Sequence, residues 1–184
     1  MQTELSNSFI KIRRYETADI PLLFEAARET VAEGSRWLPW LHPDYSMPES
    51  LEWVVDSRKQ WDQGREYSFA IVDPLTGQFL GGVGLNQISN THRMANLGYW
   101  VRSSCTGRGV ATAATQLIAR FGFGVLTLQR LEILTEVDNL ASQRVAEKAG
   151  AVREGILHRR LVIQGNSVDA VVYSLIAPNS KVTL

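Results

Sequence analysis

The sequence predicts an α/β domain: a mixed sheet with helices on both of its faces. Three observations predict it. Segments with an apolar period of two alternate with segments of period 3.6, in the order β-α-α-β-β-β-α-β-α-β-β. Two strand pairs are joined by strong turn chemistry, at Asp73-Pro74-Leu75-Thr76-Gly77 and Gln164-Gly165-Asn166-Ser167, which marks antiparallel hairpins. Between them, Gly98–Arg120 runs from a strand through a glycine turn into an amphipathic helix.

Each element follows from local pattern. Residues 8–15, SFIKIRRY, alternate apolar and polar as a first strand. Thr17 then stands as N-cap of a helix carrying Ile20, Leu23, Phe24 and Ala27 at helical spacing. Pro21 is tolerable that early in a helix. The stretch Gly34–Tyr45, GSRWLPWLHPDY, holds two Trp, two Pro, a His and a Tyr, and reads as a loop. Pro48–Trp61 is a second helix with Leu51, Val54, Val55 and Trp61 as its apolar face; Trp53 falls off that face. Glu66–Val72 and Phe79–Leu85 form a hairpin that feeds a central strand over 94–102. A helix follows over 107–126. Arg130–Val137 alternates as a strand, 139–149 is a helix, and Ile156–Ile163 with Val168–Ile176 form the last hairpin.

The turn Thr106-Gly107-Arg108-Gly109 is the first candidate for chemistry. Glycines let backbone approach a ligand closely. The first N–H groups of the next helix lack partners inside it, and its dipole end is positive, so the place suits phosphate. The same glycines would equally serve an ordinary tight connection. Neither Gly-x-x-x-x-Gly-Lys-Ser/Thr nor a complete dinucleotide fingerprint is present. Charge favours an anion: no Asp or Glu lies between Asp73 and Glu132, whereas Arg93, Arg102, Arg108, Arg120 and Arg130 do.

These residues carry a resemblance. Gly98-Tyr99-Trp100-Val101 followed by Gly107-Arg108-Gly109-Val110-Ala111 is similar to the acetyl-CoA motif of GCN5-related N-acetyltransferases, most of all the Rim-type branch that acetylates ribosomal protein N-termini. Thr106 departs from the motif's first Gln or Arg. Asn139, Ser142, Val145, Lys148 and Gly150 match the family's next helix, with Ala151 in place of its Phe. Gly165, Asp169, Tyr173, Ser174 and Leu175 match its ending. The resemblance covers about residues 8–177 and implies one domain over 1–184. It implies the GNAT fold: a mostly antiparallel mixed sheet whose central strand splays from its neighbour.

It also implies chemistry: direct attack of a primary amine on acetyl-CoA. The backbone of Trp100, Val101 and Arg102 would pair with the pantetheine arm, and an N–H near Val101 would polarise the thioester carbonyl. Gly107, Arg108, Gly109, Val110, Ala111 and Thr112 would hold the pyrophosphate. Asn139 would bind the cofactor, or cap its helix, or both. The Tyr that many members carry is here Ala146, so Ser142 is the candidate acid for the leaving thiolate, or equally a small residue packed beneath the cofactor that it would help bind. A Glu often found two residues before Gly98 is here Asn96, leaving Glu136 as a weaker candidate base. By analogy the acceptor side would include Trp37, Trp40, Trp53 and Asn96.

The missing carboxylate favours an amine of low pKa. An α-amine near 8 is about one tenth neutral at pH 7, whereas lysine near 10.4 needs far more help. The acceptor is therefore expected to be a protein N-terminus, with a small-molecule amine (amino acid, polyamine or antibiotic) and a non-catalytic CoA-binding module as alternatives. A net charge of +0 and the lack of a basic stripe disfavour nucleic acid. No run of 18 apolar residues marks a membrane span. One cysteine gives neither internal disulfide nor metal spacing, which fits the cytoplasm. Related proteins often dimerise.

Overall fold

The computed structural model describes residues 3–178. Its elements are β1 (Glu4–Ser6), β2 (Lys11–Arg14), α1 (Asp19–Gly34), α2 (Met47–Asp62), β3 (Tyr67–Val72), β4 (Phe79–Ser89), β5 (Met94–Val101), α3 (Val110–Gly124), β6 (Arg130–Glu136), α4 (Leu140–Lys148), β7 (Val152–Ile163) and β8 (Asn166–Ile176). The strands form one eight-stranded sheet in the order β1-β2-β3-β4-β5-β6-β8-β7. Every neighbouring pair is antiparallel except β5 and β6. The expected mixed, mostly antiparallel architecture is what forms.

Strand alternation explains why helices cover both faces. On β3, Phe69 and Ile71 enter one core with Leu85, Leu97, Ile118 and Phe121, beneath α3. Ala70 and Val72 point the other way. They join Tyr15, Leu23, Val54 and Phe79 beneath α1 and α2. Trp61, at the end of α2, meets Phe69 with ring centroids 4.7 Å apart, and Phe69 meets Phe121 at 5.1 Å. No helix among the described residues is long and apolar enough to cross a membrane.

Several local expectations are corrected. The first strand expected over 8–15 forms only as β2, and a further short strand, β1, precedes it. Helix α1 begins at Asp19 with Ala18 at the N-cap and no side-chain cap, so Thr17 does not cap it. Asp19 is the anchor instead: it is fully buried, takes two 2.7 Å bonds from the Arg13 guanidinium, and accepts the Glu16 N–H at 2.8 Å. Helix α2 opens with a capping box between Ser46 and Glu49. Its inward face is Ser50, Val54, Ser57 and Trp61, whereas Leu51 and Val55 stay 47% and 57% exposed. Small serines let α2 pack closely, which turns the helix away from the expected stripe. Strand β4 runs on to Ser89 through a bulge after Asn86, where Gln87 takes a φ of 50°.

The feature that positions the site is the parting of β5 from β6. They pair only at Met94–Arg130, Ala95–Leu131 and Asn96–Glu132. Beyond that, β5 stays with β4 as far as Gly81–Val101, while β6 stays with β8 as far as Glu136–Ala170. A wedge opens between them.

Candidate active site

The wedge exposes backbone in a defined order. Arg102 N–H donates to Leu80 O of β4 at 2.9 Å. Antiparallel residues alternate in direction, so the N–H groups of Val101 and Tyr99 face the gap. Of the stretch expected to meet pantetheine, Val101 therefore offers its backbone to the gap, while Trp100 and Arg102 are bonded to β4. The Arg102 guanidinium is also spent, on Glu29 at 2.5 Å and Glu25 at 2.8 Å.

At the wide end of the gap the chain turns into α3. Gly107 and Gly109 sit at φ values of 72° and 83°, which side chains rarely adopt. A Cβ at either would meet no atom within 4 Å, so the turn borders open space. Gly109 is the N-cap of α3 and gives no side-chain cap; the first intrahelical bond runs from Ala113 N–H to Gly109 O. The N–H groups of Val110, Ala111 and Thr112 are thus left for a ligand. Arg108 is exposed beside them. Along the gap, Thr135 of β6 is 4% exposed and lines the cavity, and its buried hydroxyl has no hydrogen-bond partner. An open glycine cradle and an orphaned buried hydroxyl on the same groove fit a long ligand with a phosphate end and an amide-bearing arm.

The start of α4 closes the other side. Asn139 Oδ1 accepts the Ser142 N–H at 3.0 Å, so Asn139 is the helix cap, and its amide nitrogen stays free for the groove. Both residues line the cavity. Ser142 is fixed twice more: Tyr99 Oη donates to Ser142 O at 2.9 Å and lies 3.0 Å from Ser142 Oγ. Burial pushes the Tyr99 phenol up to about 12, against a smaller opposing effect of the Ser142 bond, so Tyr99 keeps its proton. Tyr99 was visible in sequence only as part of Gly-Tyr-Trp. Its partnership with Ser142 spans 43 residues and left no local signal.

The cavity continues onto the face covered by α1 and α2, with a volume of about 650 Å³ in all. Trp37, Trp40 and Trp53 line it, and so does Glu136. Trp40 packs edge-on to Trp100 with centroids 5.3 Å apart, and Trp53 edge-on to Tyr15 at 6.4 Å. Asn96 donates to Asn86 Oδ1 at 2.9 Å, and it is Asn86 that lines the cavity. The turn between β7 and β8 reaches across: Gln164 Nε2 donates to Ser35 O at 2.8 Å. Sequence reading missed Glu49, Glu52, Asp56 and Glu66 as lining residues. The i, i+3, i+7 spacing of the first three was the available signal. Cys105 is buried in the core.

A parted strand pair, a glycine turn at a helix N-terminus and a hydroxyl at the lip of the gap define a class. The acetyltransferase (GNAT) domain model matches residues 10–152, and the chain belongs to that family of acetyl-CoA-dependent N-acetyltransferases. Among its relatives, the "Putative ribosomal N-acetyltransferase YdaF" of Bacillus subtilis is 28% identical over 92% of each chain. The spermidine N(1)-acetyltransferase of Escherichia coli is 30% identical over 88% of this chain and 83% of its own. A Salmonella typhimurium acetyltransferase that modifies the N-terminal serine of ribosomal protein L7/L12 shares the fold, with a TM-score of 0.86, 20% identity and coverage of 95% and 99%.

Proposed function

We propose that the acceptor is the N-terminal α-amine of a protein, a ribosomal protein in the first instance, and that the reaction runs in the cytoplasm by direct attack of the amine. The observation that carries the transfer reading is the gap between β5 and β6, with Ser142 at its lip. The name of the Bacillus protein supports a ribosomal acceptor, and the description of the Salmonella protein supports an N-terminus. The relative that acts on spermidine supports a small amine as the second reading.

Acetyl-CoA supplies the activated acyl group when bound. Gly107–Thr112 would hold its phosphates, and Asn139 Nδ2 and the Thr135 hydroxyl would hold its arm. The Val101 N–H faces the gap and can donate to the carbonyl oxygen as negative charge develops there. One such donor is worth on the order of 100-fold in rate. Ser142 Oγ would supply a proton for the leaving sulfur, with Tyr99 holding the serine in place. The amine needs little help, since about a tenth of an α-amine is neutral at pH 7. Glu136, on the cavity wall, takes the proton that the amine sheds.

The test is free-thiol release from acetyl-CoA across N-terminal peptides, polyamines, amino acids and aminoglycosides, with mass spectrometry to place the acetyl group. Release with peptides, acetylated on the α-amine, is the expected result. Release confined to small amines would overturn the N-terminal assignment.

A further inference from the structure

The acceptor half of the cavity has a charge that acyl transfer alone does not require. Glu49, Glu52 and Asp56 from α2, Glu66 just ahead of β3, and Glu136 at the end of β6 all line it. No Lys, Arg or His is among the described residues that do. The carboxylates do not define this site, since the parted strands and the cavity already do. They define what it selects.

Several carboxylates elsewhere are neutralised by a cation. Asp19 has Arg13, Glu25 and Glu29 share Arg102, and Glu154 has Arg130. In the cavity, Glu49 alone has such a neighbour, His42 at 2.7 Å, and its other oxygen is held by Ser46. Asp56 takes only the Gln60 amide, at 3.3 Å. Glu52, Glu66 and Glu136 have no cationic partner among the described residues. The strain of that arrangement is visible at Glu66, whose carboxyl is raised by burial and then by the charge of Asp56. Beside the carboxylates stands an aromatic wall. Trp53 remains 44% exposed against Tyr15, and Trp40 lies against Trp100 and Tyr45. Aromatic faces attract ammonium and guanidinium groups.

Resting on the transfer reading of the same cavity, the geometry points to an acceptor that carries a second positive charge along the chain from its reacting amine. One carboxylate suffices for deprotonation. The others, all but Glu49 without a cationic neighbour in a concave setting, lower the energy of a further cation and repel anionic chains. The shared chemistry is a primary amine with another ammonium or guanidinium group several bonds away. A protein N-terminus followed by Lys or Arg has it, and so does a linear polyamine.

The experiment compares serine-initiated peptides that differ only in carrying Lys or Glu at the following positions, together with spermidine and butylamine. Each is measured by thiol release and, in parallel, by calorimetric binding to the protein with CoA present. The second charge is expected to raise kcat/KM by about tenfold or more, the scale of one partly screened charge pair. Binding should rank the same way, and the preference should shrink as ionic strength rises. Glu52→Gln with Asp56→Asn should narrow it several-fold in protein whose thermal unfolding matches the parent. A basic peptide favoured over its acidic twin, with spermidine no better than butylamine, assigns the cation to a protein N-terminus. The reverse pattern assigns it to a polyamine. Equal binding and turnover of charged and uncharged acceptors, or a preference untouched by the double substitution, overturns the inference. Loss of thiol release across the whole panel would sink the transfer reading instead, while calorimetry would still read the charge selection.

Discussion

Replacing Tyr99 by Phe removes one oxygen and two contacts, the 2.9 Å bond to Ser142 O and the 3.0 Å contact with Ser142 Oγ. The cost to the fold is one partly buried hydrogen bond, about 1 kcal/mol. In a chain of this size that lowers the unfolding midpoint by roughly 2–4 °C. The cost to the reaction is larger. A released serine hydroxyl spreads over three staggered rotamers, about threefold in productive population. If Ser142 gives up its proton, the single Tyr99 O–H can turn from Ser142 O to the charged Oγ 3.0 Å away, and a hydrogen bond to a charged oxygen is worth about 1.5 kcal/mol or more, roughly tenfold. The product is a fall in kcat of about 30-fold, with the KM for acetyl-CoA little changed. Because Tyr99 holds its proton up to about 12, the loss should be the same at every lower pH. Steady-state kinetics on Tyr99→Phe, with a melting curve on the same sample, measure both numbers. A kcat within about twofold of the parent, alongside the expected loss of stability, would refute the positioning role.

Ser142→Ala should depress kcat at least as far as Tyr99→Phe, and the double variant no further than Ser142→Ala alone, because both act through one proton; additive losses would separate them. Gly109→Trp should abolish acetyl-CoA binding by filling the space beside the turn, while a positive φ for a side-chain residue costs the fold only about 1–2 kcal/mol; unchanged affinity in calorimetry would remove the cradle. Glu154 is held down to about 2, first by the Arg130 bond and then by Ser174. Its contribution to stability is fully present above the ordinary carboxyl value of 4.5 and is lost as pH falls toward 2. Glu154→Gln should therefore flatten the acid limb of a stability–pH curve in that window, and an identical limb would discount the pair.

What could be read from sequence was what is local and periodic. Turn chemistry placed both hairpins, and the glycine turn before an apolar helix marked the end of the groove where the chain enters α3. Asn139 was legible twice, as cap and as groove residue, because both roles depend on where one helix begins. Misreadings arose where neighbours in space, not in sequence, decided the outcome. Leu51 and Val55 have the right spacing for a core face, yet the close approach of α2 selects Ser50 and Ser57. Thr17 has the chemistry of a cap, but the Arg13–Asp19 pair fixes the start of α1 instead. The Tyr99–Ser142 contact and the gathering of carboxylates from α2, from Glu66 ahead of β3 and from β6 belong to the same class. No window of sequence holds them together.

The three residue pairs that join β5 to β6 make the sheet a hinge between two plates, one of β1–β5 and the other of β6–β8. A ligand lying in the gap would take the place of missing ladder bonds and brace the plates against each other. Amide hydrogens on Tyr99 and Val101, free of any ladder partner, should exchange quickly without it and slow sharply with it. The braced state also has its own melting temperature, raised with the logarithm of ligand concentration. Saturating acetyl-CoA should thus act as a ninth strand, turning a splayed sheet into a rigid one before any acceptor arrives.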